Sequence, residues 1–213
     1  SGEVEEITSL CRGLNINIGT LNARTIESMM RAGHKAAELG HPLLLDPVGA
    51  GASALRTTTA EKLMAEIPFS VIRGNASEIR TLAEGTRTTQ GVDVNILDAI
   101  SEKNLSEYIC FAREFAKQYQ VIVSISGVYD IVSDGEETVV IANGCAKMSE
   151  ITGSGCMLSA LTTSYIAANP DDKFSAVVAA TCVMGLAGEH AMNRMRELDG
   201  NASFRTYLID AVN

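Results

Sequence analysis

The sequence contains no tryptophan, and only four of its 213 residues are proline. No Pro/Gly-rich linker divides it, and no internal repeat or low-complexity tract interrupts it. A single domain over residues 1–213 is therefore expected, a length one domain accommodates. Basic residues are scarce, 17 against 26 acidic, for a formal charge of −9. That balance argues against a broad electrostatic grip on nucleic acid or anionic lipid. Long apolar runs are missing too. Residues 174–186 are the most apolar stretch, but Ser175, Thr181 and Gly185 interrupt it, and it falls short of the ~20 residues of a membrane helix. Residues 1–6 are acidic, where a signal peptide begins basic. The cysteines Cys11, Cys110, Cys145, Cys156 and Cys182 form no C-x-x-C pair, and His34, His41 and His190 do not join them at zinc-like spacing. A reducing, cytoplasmic setting without membrane or nucleic-acid partners is the expectation.

What is present is an alternation of apolar strands and amphipathic helices. Strands are expected at 14–18, 43–45, 70–72 and 121–125, the last continuous and β-branched. Helices are expected from Asn22, as cap, to Leu39; over 57–67; from a cap at Asn75 or Ser77 through Ala83; and over 105–119. Residues 84–91 have the composition of a loop, and 92–103 are ambiguous. Asp134-Gly135 marks a hairpin between 129–133 and 138–142. Helices follow over 155–168, 174–197 and 203–211. The pattern is that of an α/β fold, a mostly parallel sheet with helices on both faces.

In such sheets ligands bind beyond the carboxyl ends of the strands, and unusual residues gather there. Thr152-Gly153-Ser154-Gly155-Cys156 opens a helix. Its unpaired N–H groups at Gly153, Ser154, Gly155 and Cys156 make an anion hole suited to phosphate, unless the segment is a plain glycine-rich turn. It is not a Walker loop, since no Gly-Lys-Ser/Thr follows, nor a dinucleotide fingerprint, since the third glycine is missing. Cys156 is either a thiol facing that helix start or a small buried hydrophobe. Asp46, after three leucines, is a magnesium ligand or a turn cap. Glu78 alone reads as a solvated helix face. Arg73 can fork onto a phosphate or make a surface ion pair, and Ser126 ends the central strand as a free hydroxyl or a turn. Combined on one rim, these are the parts of a magnesium-dependent phosphoryl-transfer site.

Asn17-Ile18-Gly19-Thr20-Leu21, Leu45-Asp46-Pro47-Val48-Gly49-Ala50-Gly51-Ala52, Arg73-Gly74-Asn75-Ala76-Ser77-Glu78-Ile79 and Thr152-Gly153-Ser154-Gly155-Cys156 occur in this order. Ser126-Gly127 with Asp130, Asp134-Gly135 and Ser203-Phe204-Arg205 accompany them. Together they resemble the hydroxyethylthiazole kinase family of ribokinase-like enzymes over nearly the whole chain. The resemblance implies ATP-dependent, magnesium-dependent phosphorylation of the hydroxyl of 4-methyl-5-(2-hydroxyethyl)thiazole, in thiamine biosynthesis and salvage. It implies Arg73 and Ser126 as ATP contacts, Gly153 as a substrate contact, and Gly19 and Thr20 as the rim of the thiazole pocket. Asp46 and Glu78 would organise magnesium, and Cys156 stands where the wider superfamily places a general base. A homotrimer with active sites at subunit interfaces is implied as well.

Three departures from the family pattern stand out. A leading strand and helix, with a methionine that covers the thiazole, are expected to precede Ser1 in members. Asn143-Gly144-Cys145 stands where Asn-Gly-His is common, and Gly200-Asn201-Ala202 lacks a usual second glycine. The alternatives are another ribokinase-like small-alcohol kinase or a non-catalytic nucleotide-binding regulator. A nicotinamide dehydrogenase is disfavoured by the missing fingerprint.

Overall fold

The computed structural model describes residues 2–85 and 100–212. In chain order the elements are α1 (Val4–Leu10), β1 (Leu14–Asn17), α2 (Ala23–Glu38), β2 (Leu43–Asp46), α3 (Ala54–Glu66), β3 (Val71–Asn75), α4 (Ala76–Gly85), α5 (Leu105–Tyr119), β4 (Ile122–Ser126), β5 (Asp130–Ser133), β6 (Thr138–Ile141), a 3₁₀ turn (Ala146–Glu150), α6 (Ser154–Ala168), α7 (Lys173–Arg194) and α8 (Asn201–Ala211).

The strands lie in the order β1-β2-β3-β4-β5-β6. The first four run parallel, and the β5–β6 hairpin continues the sheet antiparallel. Side chains alternate between the two faces. Leu43, Leu45, Ile72, Val123 and Ile125 pack with α2–α5, whereas Leu44, Val71, Val132 and Ile141 pack with α6 and α7. Successive crossovers of one hand that march in one direction lay their helices on one face. The other face is therefore left to the last third of the chain. A third apolar cluster, with Ile151, Met184 and Phe204, joins α6, α7 and α8 away from the sheet.

Register places the site. Asn17 sits opposite Asp46 in the β1–β2 pair, and Asn75 opposite Ser126 in β3–β4. Four polar residues thus end four neighbouring strands at one rim.

The α/β expectation is met, with local differences. Helix α1 was not foreseen, because its acidic first turn, Glu5 and Glu6, carried a charge argument only. Helix α3 begins at Ala54, three residues earlier than expected, because Ser53 accepts the N–H of Arg56 and caps it. Helix α4 continues through Gly85. The remainder of the expected loop, and residues 92–99 of the ambiguous stretch, lie outside the described residues.

One expectation needs correction. Helix α7, at 22 residues and mean hydropathy 1.3 in its most apolar window, is long and apolar enough to cross a membrane. Its polar interruptions do not shorten the helix, since the Thr181 hydroxyl donates back to the Val177 carbonyl (2.9 Å). Half of that window is buried, against α6, α8 and the sheet, as in the core helix of a globular fold.

Candidate active site

The glycine-rich segment ends on the rim. Gly153 takes the position before α6 at φ +95°, a left-handed conformation that disfavours any residue with a Cβ. It offers no side-chain cap, and the first main-chain bond of the helix is Met157 N–H to Gly153 O (2.9 Å). Among the described residues, the N–H groups of Ser154, Gly155 and Cys156 have no partner. Nothing lies within 4 Å of where a Gly153 side chain would begin. Unpaired donors thus stand at the positive end of a helix, next to a glycine whose side-chain position is open. Gly155 has a different reason for being glycine. A Cβ there would stand 2.7 Å from Arg73 Nη1, so its bareness makes room for the guanidinium.

Asn17 ties the helix to the strand ends. Its Nδ2 donates to Asp46 Oδ2 (2.8 Å) and to Cys156 Sγ (3.1 Å), while its Oδ1 accepts the N–H of Gly19 (2.8 Å). Ser159, one turn beyond Cys156, donates its hydroxyl to the same Asp46 oxygen (2.8 Å). Asp46 is only 1% exposed. Burial holds its carboxyl above the ordinary aspartate range, and the Arg73 charge with the Ser159 and Asn17 hydrogen bonds opposes that rise. Cys156 is exposed, which removes the buried-hydrophobe reading.

Arg73 is 6% exposed, at the base of the rim. Its Nη2 donates to Ser126 Oγ (2.7 Å), and Nε is buried without a partner. Among the described residues it makes no ion pair. Asp130 lies near the same guanidinium and accepts the Gly127 N–H (2.9 Å). Burial is the larger effect on Asp130 and raises its pKa; the Gly127 bond and the Arg73 charge work against it.

Glu78 does not lie on a solvated face. It folds back so that Oε1 accepts the N–H of Gly49 and Oε2 that of Asn75, each at 2.8 Å. One carboxylate thereby joins the loop after β2 to the end of β3. Asp46 at the end of β2 and Glu78 in the first turn of α4 supply hard carboxylate oxygens, the donor type magnesium takes, one or two carboxylates completed by phosphate and water. Among the described residues no three His, Cys, Asp or Glu side chains gather into a closed metal cage. Gly19 is half-buried beside Val48, and Thr20 is exposed beyond it.

A sequence model of the hydroxyethylthiazole kinase family matches residues 1–213. The chain belongs to this family. Hydroxyethylthiazole kinase of Clostridium acetobutylicum is 53% identical over 99% of the chain and 77% of its own length. That of Clostridium beijerinckii is 43% identical over 99% and 75%. The solved structure of the hydroxyethylthiazole kinase protein of Pyrococcus horikoshii superposes over 100% of the chain and 75% of its own, with TM-score 0.85 and 32% identity. A ribokinase-like superfamily protein of Enterococcus faecalis, at 11% identity, covers 98% of the chain and 66% of its own with TM-score 0.66. The fold is ribokinase-like.

Set against the family pattern, the sequence-derived residues Asp46, Arg73, Ser126, Gly155 and Cys156 converge on one rim. Sequence reasoning missed Asn17, Ser159 and Arg56 as linking residues. Ser159 carried a usable signal, since its i+3 spacing from Cys156 puts both on one helix face. The departure at Asn143-Gly144-Cys145 leaves that turn fastened to α7. The Asn143 amide donates to the Cys182 carbonyl (2.8 Å), Glu189 accepts the Gly144 N–H (2.9 Å), and the Cys145 thiol faces the Gly188 carbonyl (3.4 Å).

Proposed function

We propose that the chain transfers the γ-phosphoryl group of ATP to the hydroxyl of 4-methyl-5-(2-hydroxyethyl)thiazole, giving the thiazole phosphate used in thiamine biosynthesis. The observation that carries this reading is the meeting of Arg73 with the bare Gly155 at the unpaired start of α6, in a member of this family. Arg73 and Ser126 hold ATP. The buried, unpaired Arg73 Nε is a donor left for a phosphate oxygen. The N–H groups of Ser154, Gly155 and Cys156 receive the γ-phosphoryl, where charge accumulates during transfer. Asp46 and Glu78 would hold magnesium, which supplies positive charge to the phosphate oxygens when bound. Gly153, Gly19 and Thr20 border the place of the alcohol. Cys156 Sγ, aimed by the Asn17 amide, positions the hydroxyl and takes its proton. A loose transition state asks little of that base, because the nucleophile keeps its proton until late.

Residues 1–213 act as one domain, and the assembly is a homotrimer with sites at subunit interfaces, working in the cytoplasm. The presence of five free cysteines supports the compartment. The test is ADP release with the thiazole alcohol against a panel of other small alcohols, with and without magnesium. Release stimulated by the thiazole alcohol and abolished by chelation is expected. Equal stimulation by pyrimidine or sugar alcohols would assign a different acceptor. ATP binding without any release would leave only a regulator. Light scattering on the same preparation checks the trimer.

A further inference from the structure

Arg56 lies in the first turn of α3 and is half-buried. Among the described residues its guanidinium hydrogen-bonds to main-chain carbonyls alone. Nη1 donates to Ile18 O (3.0 Å) and Val48 O (2.8 Å), and Nη2 donates to Gly19 O (2.9 Å). Ile18 and Gly19 follow β1, and Val48 follows β2. Among the described residues no ion pair includes Arg56. A planar fork of fixed donors suits three carbonyls converging from two loops, and an ammonium on a flexible stem does not reproduce it. The stem of the side chain runs past Gly49, where a Cβ would stand 3.1 Å from Arg56 Cδ.

The residues held this way lead directly to the reacting groups. Gly19, gripped at its carbonyl, gives its N–H to Asn17 Oδ1. With that amide oxygen engaged, Asn17 Nδ2 faces Asp46 and Cys156. We infer that Arg56 is a positioning residue of the acceptor side. It fixes the loop after β1 against the loop after β2 and, through Gly19 and Asn17, sets the aim of Cys156. This rests on the kinase reading above. It assigns Arg56 no contact with ATP, because Arg73 and Ser126 stand on β3 and β4.

The test is a comparison of Arg56→Ala and Arg56→Lys with the parent, by steady-state kinetics in both substrates and by amide hydrogen exchange. Arg56→Ala is expected to raise KM for the thiazole alcohol about tenfold and lower kcat, with KM for ATP held within about twofold. Arg56→Lys should show the same split at smaller amplitude, and it carries the kinetic test if the alanine variant does not stay folded. Millimolar guanidinium should restore part of the Arg56→Ala activity and leave the parent unchanged. Exchange in the segments 17–20 and 47–50 should quicken about tenfold in the alanine variant while the β3 and β4 segments hold. Unchanged KM for the alcohol, or an equal rise in both KM values, would overturn the inference. Exchange is read without catalysis. If the parent fails to phosphorylate the thiazole alcohol, the kinase reading falls, and exchange still decides whether Arg56 clamps the loops.

Discussion

Helices α6 and α7 lie side by side on one face of the sheet, yet they begin at opposite ends of it and are finished differently. At the start of α7, Asp172 accepts the N–H of Ser175 (3.1 Å) and closes the helix end. That start lies by the amino ends of β3 and β4, where Lys173 shares a surface depression with Ser70, Val121 and Ile122. At the start of α6, on the carboxyl rim, a glycine stands in place of a capping side chain, and among the described residues three N–H groups have no partner. A side-chain cap stabilises a helix by about 1 kcal/mol. The α6 start forgoes that, and under the proposed function its free donors receive the phosphoryl group. Departures from good local chemistry gather at functional sites, and of the two helices on this face only α6, whose start lies on the carboxyl rim, lacks a side-chain cap.

The contrast is broken most severely at Gly155. Valine there brings a branched side chain onto the Arg73 guanidinium, where a Cβ alone would already sit at 2.7 Å. Phosphoryl transfer should fall by about 10³-fold, the scale for lost electrostatic preorganisation, while far-ultraviolet circular dichroism stays that of a folded chain. A folded Gly155→Val enzyme that kept a substantial share of its activity would mean that the α6 start does not receive the phosphoryl group.

Asp46→Asn sharpens the comparison by separating stability from chemistry. Activity should fall by about 10²-fold, the weight of one lost charge-stabilising group. Stability should move the other way. Burial raises the Asp46 pKa in the folded state, so the folded chain binds this proton more tightly than the unfolded one. The cost of the buried charge is absent below the ordinary aspartate value and is complete once the pH has passed the raised one. The asparagine variant should therefore melt a few degrees above the parent at neutral pH, roughly the ~2–4 °C per kcal/mol of a chain this size. That advantage should vanish as the pH falls through the window. A variant less stable than the parent at neutral pH would show that the Asn17 and Ser159 hydrogen bonds to the charge outweigh its burial.

A smaller effect is expected at Cys156. Aspartate there would keep the Asn17 contact and present a carboxylate that is already deprotonated at neutral pH, so turnover should stay within about threefold of the parent or exceed it. A Cys156→Asp chain that folds and binds ATP but does not turn over would remove the proton-accepting role from this position.

Much of this arrangement was legible before any coordinates. Continuous apolar runs such as Leu43-Leu44-Leu45 mark strands buried on both faces, and the observed sheet buries Leu44 on one side and its neighbours on the other. Two glycines at a helix start marked the uncapped beginning of α6, because both dihedral freedom and a missing Cβ are written in residue type. The linking residues were not legible. Asn17 meets Cys156 across 139 positions and Arg56 meets Ile18 across 38, and such contacts leave no local pattern. Glu78 read as a solvated face for a related reason. Its partners are main-chain N–H groups, one of them on another loop, and main-chain donors look alike at every position.

The mildest perturbation tests the capped end. Asp172→Ala removes the acceptor of the Ser175 N–H and leaves the α7 start open, as α6 already is. The loss should be about 1 kcal/mol, a fall in melting temperature of ~2–4 °C, with kcat and both KM values unchanged, since the change lies by the amino ends of the strands. Opening a helix end should therefore cost stability without creating an anion site, because the described residues lining the depression at Lys173 include no arginine and no buried carboxylate. If Asp172→Ala gained phosphate affinity comparable to the active rim, a bare helix start would suffice by itself, and the weight placed on Arg73 and Asp46 would have to shift to the helix alone.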